Sequence, residues 1–96
     1  MSQLVWSPSA KKDIQNHYDY LYPKAPESAA KAVEAILTAG KNLAKTPRKG
    51  MLIDKKSGIR KWPVAFGKYG FVIHYARLDT GLVVLRVYHG RQSRPY

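Results

Sequence analysis

The sequence contains no cysteine and only three histidines, His17, His74 and His89, which lie far apart along the chain. The absence of cysteine excludes disulfides, thiolate nucleophiles and thiolate zinc sites. The scattered histidines argue against a histidine-rich metal centre, so we expect no metal and no cofactor. No stretch approaches the ~20 consecutive apolar residues of a membrane span, and the N-terminal residues include no apolar segment of signal-peptide length. We expect a soluble, cytoplasmic protein with no membrane partner.

Acidic residues are also scarce in this chain. Six Asp and Glu face 17 Lys and Arg, which gives a formal net charge of +11 in 96 residues. So large an excess of one sign favours a polyanionic partner, and a nucleic acid, a ribonucleoprotein, an acidic membrane surface or an acidic protein would each qualify on charge alone. The length suits one hydrophobic core, and residues 1–96 are predicted to form a single domain.

The first half of the chain has the pattern of a strand followed by two helices. Gln3–Trp6 is a short apolar run, after which Ser7 and Pro8 provide an N-cap and a proline in the first turn. The first helix should bury a stripe formed by Ala10, Ile14, Tyr18 and Leu21. A second helix should run from Pro26 to Thr46 and bury Ala29, Ala30, Val33, Ile36, Leu37, Leu43 and Ala44. The short connection predicts an antiparallel helical hairpin.

The roles of two further residues in this half of the chain, Trp6 and Gly40, are interpreted individually. Trp6, at the entry to the first helix, is interpreted as a hydrophobic staple. Gly40, inside the second helix, is expected to be tolerated at a cost of about 1 kcal/mol relative to alanine.

The second half reads as a basic loop followed by strands. Residues 47–61 are rich in lysine and arginine and include two glycines and a proline, so we predict a solvated, mobile loop. Three β-rich runs follow at residues 61–66, 69–78 and 82–89, with hairpin-type breaks between them. Pro63 cannot donate to a ladder, so its strand should be at an edge or bulged there.

The resulting order is β-α-α-β-β-β. We predict an α+β fold of two layers, in which an N-terminal strand, an antiparallel helical hairpin and an antiparallel three-strand meander follow one another. The hairpin covers one face of the sheet and leaves the other open to a partner.

Several segments, taken in this order, resemble the RelE/ParE superfamily of bacterial type II toxins. They are "SPSAKKDI" at residues 7–14, "NLAKTPRKG" at 42–50, "GIRKWPV" at 58–64, "YGFVIHY" at 69–75 and "VLRVYHGRQ" at 84–92. The helix start and the closing "V-x-H-G-R" are more similar to the ParE branch than to the RelE branch. The similarity covers nearly the whole chain.

The two branches imply different activities. RelE-like toxins cut messenger RNA on the ribosome, whereas ParE-like toxins poison DNA gyrase and are not known as nucleases. Both are neutralised by a cognate antitoxin, and the resemblance therefore implies an acidic antitoxin with which this chain forms an oligomer. Gyrase is the implied target of the ParE branch, and the ribosome with its message that of the RelE branch.

The residues nearest to a RelE-type catalytic set are few and incomplete. If the chain were RelE-like, that set would comprise Lys61, Arg91, Tyr88, His89 and Tyr96. Metal-free RNA cleavage needs a base, an acid and donors that stabilise the phosphorane charge. Gly70-Phe71 and Pro63 occupy positions where RelE-like enzymes carry further basic residues. The sequence therefore disfavours an enzyme.

Alternation along the last strand places its side chains on two faces. Val83, Leu85, Val87 and His89 should share one face, and Val84, Arg86 and Tyr88 the other. Arg86 and Tyr88 are then neighbours on the open face. His89 ends an apolar row, which is more typical of a structural histidine than of a catalytic base.

The prediction from the sequence is a non-enzymatic, growth-arresting toxin that binds gyrase. Its target-binding residues are predicted to be Arg86, Tyr88, Arg91, Arg94 and Tyr96, supported by the charges of Lys55, Lys56, Arg60 and Lys61. The alternatives are a ribosome-dependent mRNA endoribonuclease, a plain nucleic-acid-binding module and an inactive, degenerate toxin.

Overall fold

The structure of the chain, a computed structural model, describes residues 3–92. Its elements are β1 (Gln3–Trp6), α1 (Pro8–Leu21), α2 (Pro26–Lys45), β2 (Met51–Asp54), β3 (Ile59–Val64), β4 (Phe71–Leu78) and β5 (Gly81–His89). As predicted, Ser7 caps α1, because its Oγ accepts a hydrogen bond from the Ala10 amide at 3.0 Å. No helix in this part of the chain has the length and apolar character needed to cross a membrane.

The five strands form one sheet in the order β1-β5-β4-β3-β2. The last four strands pair antiparallel in sequence order. β1 pairs parallel to β5, with Gln3 opposite Gly81 and Trp6 opposite Val84. The two helices pack on each other and on one face of this sheet. The predicted α+β class, with two layers and a helical hairpin, is confirmed.

The structure adds one strand to the predicted order. β2 lies within residues 47–61, which we predicted to be a loop, and it pairs with β3 from Met51 opposite Lys61 to Asp54 opposite Ile59. The meander therefore has four strands rather than three. Pro63 lies beyond the end of this pairing, so its missing N–H faces a local edge, as expected for proline in a strand.

The alternation predicted for β5 is wrong at one point. His74 is opposite Arg86 while Tyr75 is opposite Val84, so Leu85 is an extra residue in β5. Such a β-bulge reverses the alternation. Val84 and Val87 therefore both face the helices and are fully buried.

The buried face of α2 is rotated from the predicted one. Its buried residues are Ala29, Ala32, Ile36, Gly40, Leu43 and Ala44, whereas Ala30 and Leu37 are exposed. Together with Ile73, Tyr75, Leu82, Val84 and Val87 of the sheet, this face forms the core. The rotation brings α2 close to β1: a Cβ on Gly40 would lie 2.5 Å from Cζ2 of Trp6. Trp6 therefore packs across to α2, which differs from the local staple that the sequence predicts.

Candidate functional site

Side chains of α1 and of its N-cap, Ser7, take the place of a strand along part of β5. β1 ends opposite Val84, and from Leu85 onward the outer edge of β5 faces α1. Ser7 Oγ donates to the Leu85 carbonyl at 2.8 Å, and the Val87 amide donates to Asp13 Oδ2 at 2.9 Å. His17 Nε2 lies 2.8 Å from the Val87 carbonyl and must donate to it, since a carbonyl only accepts. These three bonds satisfy backbone groups that a sheet edge would leave open.

Asp13 also binds Arg86 through two hydrogen bonds. Arg86 Nε donates to Oδ2 at 2.7 Å and Nη2 donates to Oδ1 at 3.0 Å. The Asp13 side chain is 10% exposed and that of Arg86 is 41% exposed. This hydrogen bonding raises the pKa of Arg86 further above its already high value. Arg86, predicted as a free contact for a target, is thus held by a carboxylate within the fold.

A row of polar side chains crosses the sheet on the face away from the helices. Lys61 lies opposite His74, and His74 lies opposite Arg86. Tyr88 is next to this row: its ring meets His74 edge-on with centroids 4.8 Å apart, and the Arg86 guanidinium lies 4.9 Å from its centroid. We call Lys61, Val72, His74, Arg86 and Tyr88 the helix-free face. The predicted adjacency of Arg86 and Tyr88 is confirmed, but Tyr88 is only 6% exposed.

His89 and Arg91 lie on the helix side of the sheet instead. His89 is opposite Phe71 and its ring packs edge-on against the Phe71 ring, with centroids 5.9 Å apart. Its Nδ1 accepts the Arg91 amide at 3.1 Å. Burial and the nearby His17 and Arg91 lower the pKa of His89, which favours the neutral imidazole whose Nδ1 accepts this bond. This environment supports the structural role expected from the sequence.

Two side chains, those of Tyr75 and Arg60, hold the backbone of the basic segment that precedes β3. Tyr75 is buried, and its hydroxyl donates to the Pro47 carbonyl at 2.8 Å and accepts the Gly50 amide at 2.9 Å. Arg60 Nη1 donates to the Gly50 carbonyl at 2.7 Å and to that of Arg48 at 3.3 Å. Arg60 therefore stabilises the segment rather than presenting a free charge.

Exposed cations remain at this end of the sheet. They are Arg48, Lys49, Lys55, Lys56 and Arg77, which we call the basic end. Lys55 and Lys56 lie in the turn between β2 and β3, and a surface cavity joins Arg48 and Lys49 to Arg77. Of the residues predicted to bind a target, only Lys55 and Lys56 belong to this surface.

The predicted target-binding residues do not form one cluster. Arg91 follows the end of β5, near the start of β4, whereas Lys55 and Lys56 precede the start of β3. The six residues of β3 alone separate these ends by about 20 Å at ~3.3 Å per residue. Arg94 and Tyr96 lie outside the described residues.

An apolar groove separates α2 from β3 on the helix side. Its cavity volume is about 780 Å³, and its apolar lining includes Ala35, Ala39, Leu43, Trp62, Val64 and Phe66. Lys31, Lys49 and Glu34 lie at its rim, and Lys49 Nζ is 4.6 Å from the Trp62 ring centroid. We call this surface the α2–β3 groove. Trp62, for which the sequence left packing and partner binding open, packs on the core and also lines this groove.

Sequence reasoning missed Asp13 and His17 as organising residues. Both lie on the sheet side of α1 among apolar positions, three and seven residues after Ala10. An acidic residue on the buried face of an amphipathic helix was the one available signal. Its partner, 73 residues away, has no local signature.

The family model described as "ParE toxin of type II toxin-antitoxin system, parDE" matches residues 4–94. The chain belongs to this ParE toxin family. A solved structure titled "Chromosomal ParDE TA system from P. aeruginosa" has the same fold, with a TM-score of 0.73 and 23% identity over 93% of this chain and 96% of that one. The predicted membership of the RelE/ParE superfamily is confirmed.

Two curated relatives of this ParE-family chain carry the other branch name. "Toxin RelE3" of Caulobacter vibrioides is 28% identical over 94 residues, which cover 98% of this chain and 100% of the relative. "Toxin RelE1" of the same organism is 27% identical over 85 residues, covering 88% and 89%. Both relatives are named as toxins, in agreement with the family model.

Proposed function

We propose that this ParE-family toxin arrests growth by binding DNA gyrase engaged with DNA, and that it does not cleave RNA. The observation that carries this proposal is the separation of the residues nearest to a nuclease set. Lys61 is on the helix-free face, whereas His89 and Arg91 are on the helix side. Groups on opposite faces of a sheet cannot act together on one phosphodiester, which needs base, acid and charge stabilisers within hydrogen-bond reach.

The individual groups also argue against RNA cleavage. The Tyr88 ring is packed between His74 and Arg86, and the residue is only 6% exposed. The guanidinium of Arg86 is bound by Asp13 and is not free to neutralise a phosphorane. The His89 Nδ1 is engaged by the Arg91 amide. A toxin that acts by binding alone does not need these side chains to transfer protons or to stabilise a phosphorane.

The basic end supports binding to a polyanion. Its five cations are exposed and lie at one end of the sheet, and contacts of this kind provide affinity for DNA without sequence specificity. We therefore assign the DNA contact to the basic end, and the name of the target, gyrase, rests on the family.

Two assays on the purified protein separate the candidate targets. In a supercoiling assay the toxin should inhibit gyrase, while in a translation-coupled assay messages should remain intact. The double variant Lys55→Ala/Lys56→Ala should weaken the inhibition of gyrase. It should also lower the slope of a plot of log DNA affinity against log salt concentration by about 2, which is about 1 per lysine. Lys11→Ala/Lys12→Ala, on exposed α1, removes the same charge and should change neither. Equal losses in both double variants would contradict the basic end as the contact.

A ribosome-dependent endoribonuclease is the second candidate. Both curated relatives carry the RelE name, and Lys61, His74 and Arg86 form one row on the helix-free face. This candidate predicts message cleavage that is lost in Lys61→Ala. Intact messages with the unaltered toxin would exclude it.

The α2–β3 groove is the surface we assign to the antitoxin. Its floor is apolar, its rim carries two lysines against one glutamate, and the whole chain has a net charge of +11. An acidic amphipathic segment that folds on docking is complementary to such a surface.

Growth rescue tests this assignment. The chain alone should arrest bacterial growth, and co-expression of its acidic antitoxin should relieve the arrest. Thr38 is exposed and lines the groove, so Thr38→Glu should retain toxicity but escape relief, because the added carboxylate repels an acidic segment. Ala30→Glu, exposed on the same helix outside the groove, should still be relieved. Full relief of Thr38→Glu would show that the antitoxin docks elsewhere.

A further inference from the structure

A cleft rich in aromatic rings lies between α1 and the end of the sheet where β3 leads into β4. Two adjoining cavities, of about 200 and 490 Å³, share His17, Tyr20 and His89. We call this the aromatic cleft, and its rings and cations are His17, Tyr20, Phe66, Lys68, Tyr69, Phe71, His89 and Arg91. It adjoins the α2–β3 groove, with which it shares Phe66, and among the described residues it shares none with the basic end or the helix-free face.

Two rings of the cleft, those of His17 and His89, are held in place by hydrogen bonds within the fold. His17 is fixed by its bond to the Val87 carbonyl, and His89 by the Arg91 amide on Nδ1. Gly67 and Gly70 have φ values of +56° and +66°, which allow the tight turn that presents Tyr69. A preformed site loses less freedom on binding.

The cleft is cationic as well as aromatic. Lys68 Nζ lies 5.5 Å and the Arg91 guanidinium carbon 5.0 Å from the Tyr69 ring centroid. Lys24, through hydrogen bonding and its charge, lowers the pKa of the neighbouring Tyr20 hydroxyl. Over residues 3–92, no aspartate or glutamate lines either cavity. An anion meets cations here and no opposing carboxylate.

The combination of rings and cations selects among ligand classes. An inorganic anion needs the cations but gains nothing from the rings, and an apolar peptide needs the rings but leaves the cations unpaired. A planar heterocycle joined to a phosphate uses both, by stacking and by charge. The smaller cavity has the room of roughly seven water molecules at ~30 Å³ each, which suits one base.

We propose that the aromatic cleft binds a nucleotide, with the base against Tyr69 and His89 and the phosphate between Lys68 and Arg91. His89 bonded through Nδ1 keeps Nε2–H as its donor, which a base nitrogen or carbonyl can accept. The proposal does not depend on gyrase or the ribosome as the target. A free nucleotide and a nucleotide within a single strand offer the same chemistry.

Titration of the full ¹⁵N-labelled chain, followed by NMR, tests the proposal. The probes are adenosine 5′-monophosphate, guanosine 5′-monophosphate, inorganic phosphate and a single-stranded hexanucleotide. At least one nucleotide should bind at least fivefold more tightly than phosphate, and should shift the amides of residues 67–71 and 89–92. If the hexanucleotide binds more tightly than the mononucleotides, the natural ligand is a nucleic-acid strand. If the affinities are equal, the natural ligand is a free nucleotide.

Matched variants assign the binding to the cleft. Tyr69 is half exposed, so Tyr69→Ala should keep the fold and weaken nucleotide binding at least fivefold. Tyr22→Ala removes an equally exposed tyrosine outside the cleft and should leave it unchanged. Lys68→Ala should weaken binding at least threefold, whereas Lys41→Ala, which removes an exposed lysine of α2 outside the cleft, should not. Equal affinity for phosphate and nucleotide, indifference to Tyr69→Ala, or shifts confined to the basic end would overturn the proposal.

Discussion

Replacing Asp13 by alanine is expected to lower the free energy of unfolding by about 3 kcal/mol and the melting temperature by more than about 10 °C. The change leaves the buried Val87 N–H without its acceptor and Arg86 without its bidentate partner. The exposure of Arg86 to water limits the cost of its lost charge pair. Alanine is the better helix former, so propensity alone predicts a small gain.

Chemical denaturation at neutral pH measures this effect, and Asp19→Ala is its control. Asp19 is exposed on the same helix, where it accepts a hydrogen bond from Gln15, so its replacement alters the net charge equally and should cost below about 0.5 kcal/mol. Arg86→Ala should cost less than Asp13→Ala, since the bond to Val87 survives. Equal stabilities of the two aspartate variants would refute the organising role of Asp13.

Replacing Gly40 by alanine is expected to destabilise the fold by about 2 kcal/mol, although the same change in a helix interior ordinarily stabilises by about 1 kcal/mol. The new Cβ would lie 2.5 Å from Cζ2 and 2.7 Å from Cη2 of Trp6, well inside van der Waals contact. Either the indole or the whole of α2 must then move away from the sheet.

Trp6, whose ring the new Cβ would overlap, provides the control. Trp6→Phe shortens the ring, so adding Gly40→Ala in that background should be neutral or stabilising by up to about 1 kcal/mol. Thermal and urea unfolding of the four proteins of this double-mutant cycle give the coupling between the residues. A stabilising Gly40→Ala in the otherwise unaltered chain would mean that α2 can shift freely.

Local signals in the sequence were enough for most of the fold. The Ser7 cap with Pro8, the prolines that bound α2 and the glycine breaks between strands are short-range features, and the structure has each element they predict. The sequence does not predict β2, because its four residues follow a run of basic and turn-forming residues and have no alternation of their own. Gly50, directly before β2, is held by hydrogen bonds with the side chains of Tyr75 in β4 and Arg60 in β3, and neither bond has a local signature in the sequence.

The candidate sites were less accessible, because they depend on side chains that meet only in the folded chain. The bulge at Leu85 lies where β1 ends and Ser7 takes the Leu85 carbonyl, 78 residues away in sequence. Strict alternation along β5, which takes no account of the bulge, predicts that Val84 lies on the open face, whereas in the structure Val84 faces the core. The Asp13–Arg86 pair and the aromatic cleft likewise join α1 to the end of the sheet, a relation that period and composition do not encode.

The parallel pairing of β1 with β5 has a consequence for the order of folding. Gln3 lies opposite Gly81, so this pairing closes a loop that includes both helices and the other three strands. The backbone groups bound by Ser7, Asp13 and His17 also belong to β5. Because contacts between residues so far apart in sequence cost the most chain entropy, we expect the β1 side of β5 to be completed late in folding, after the local helical and β-hairpins have formed.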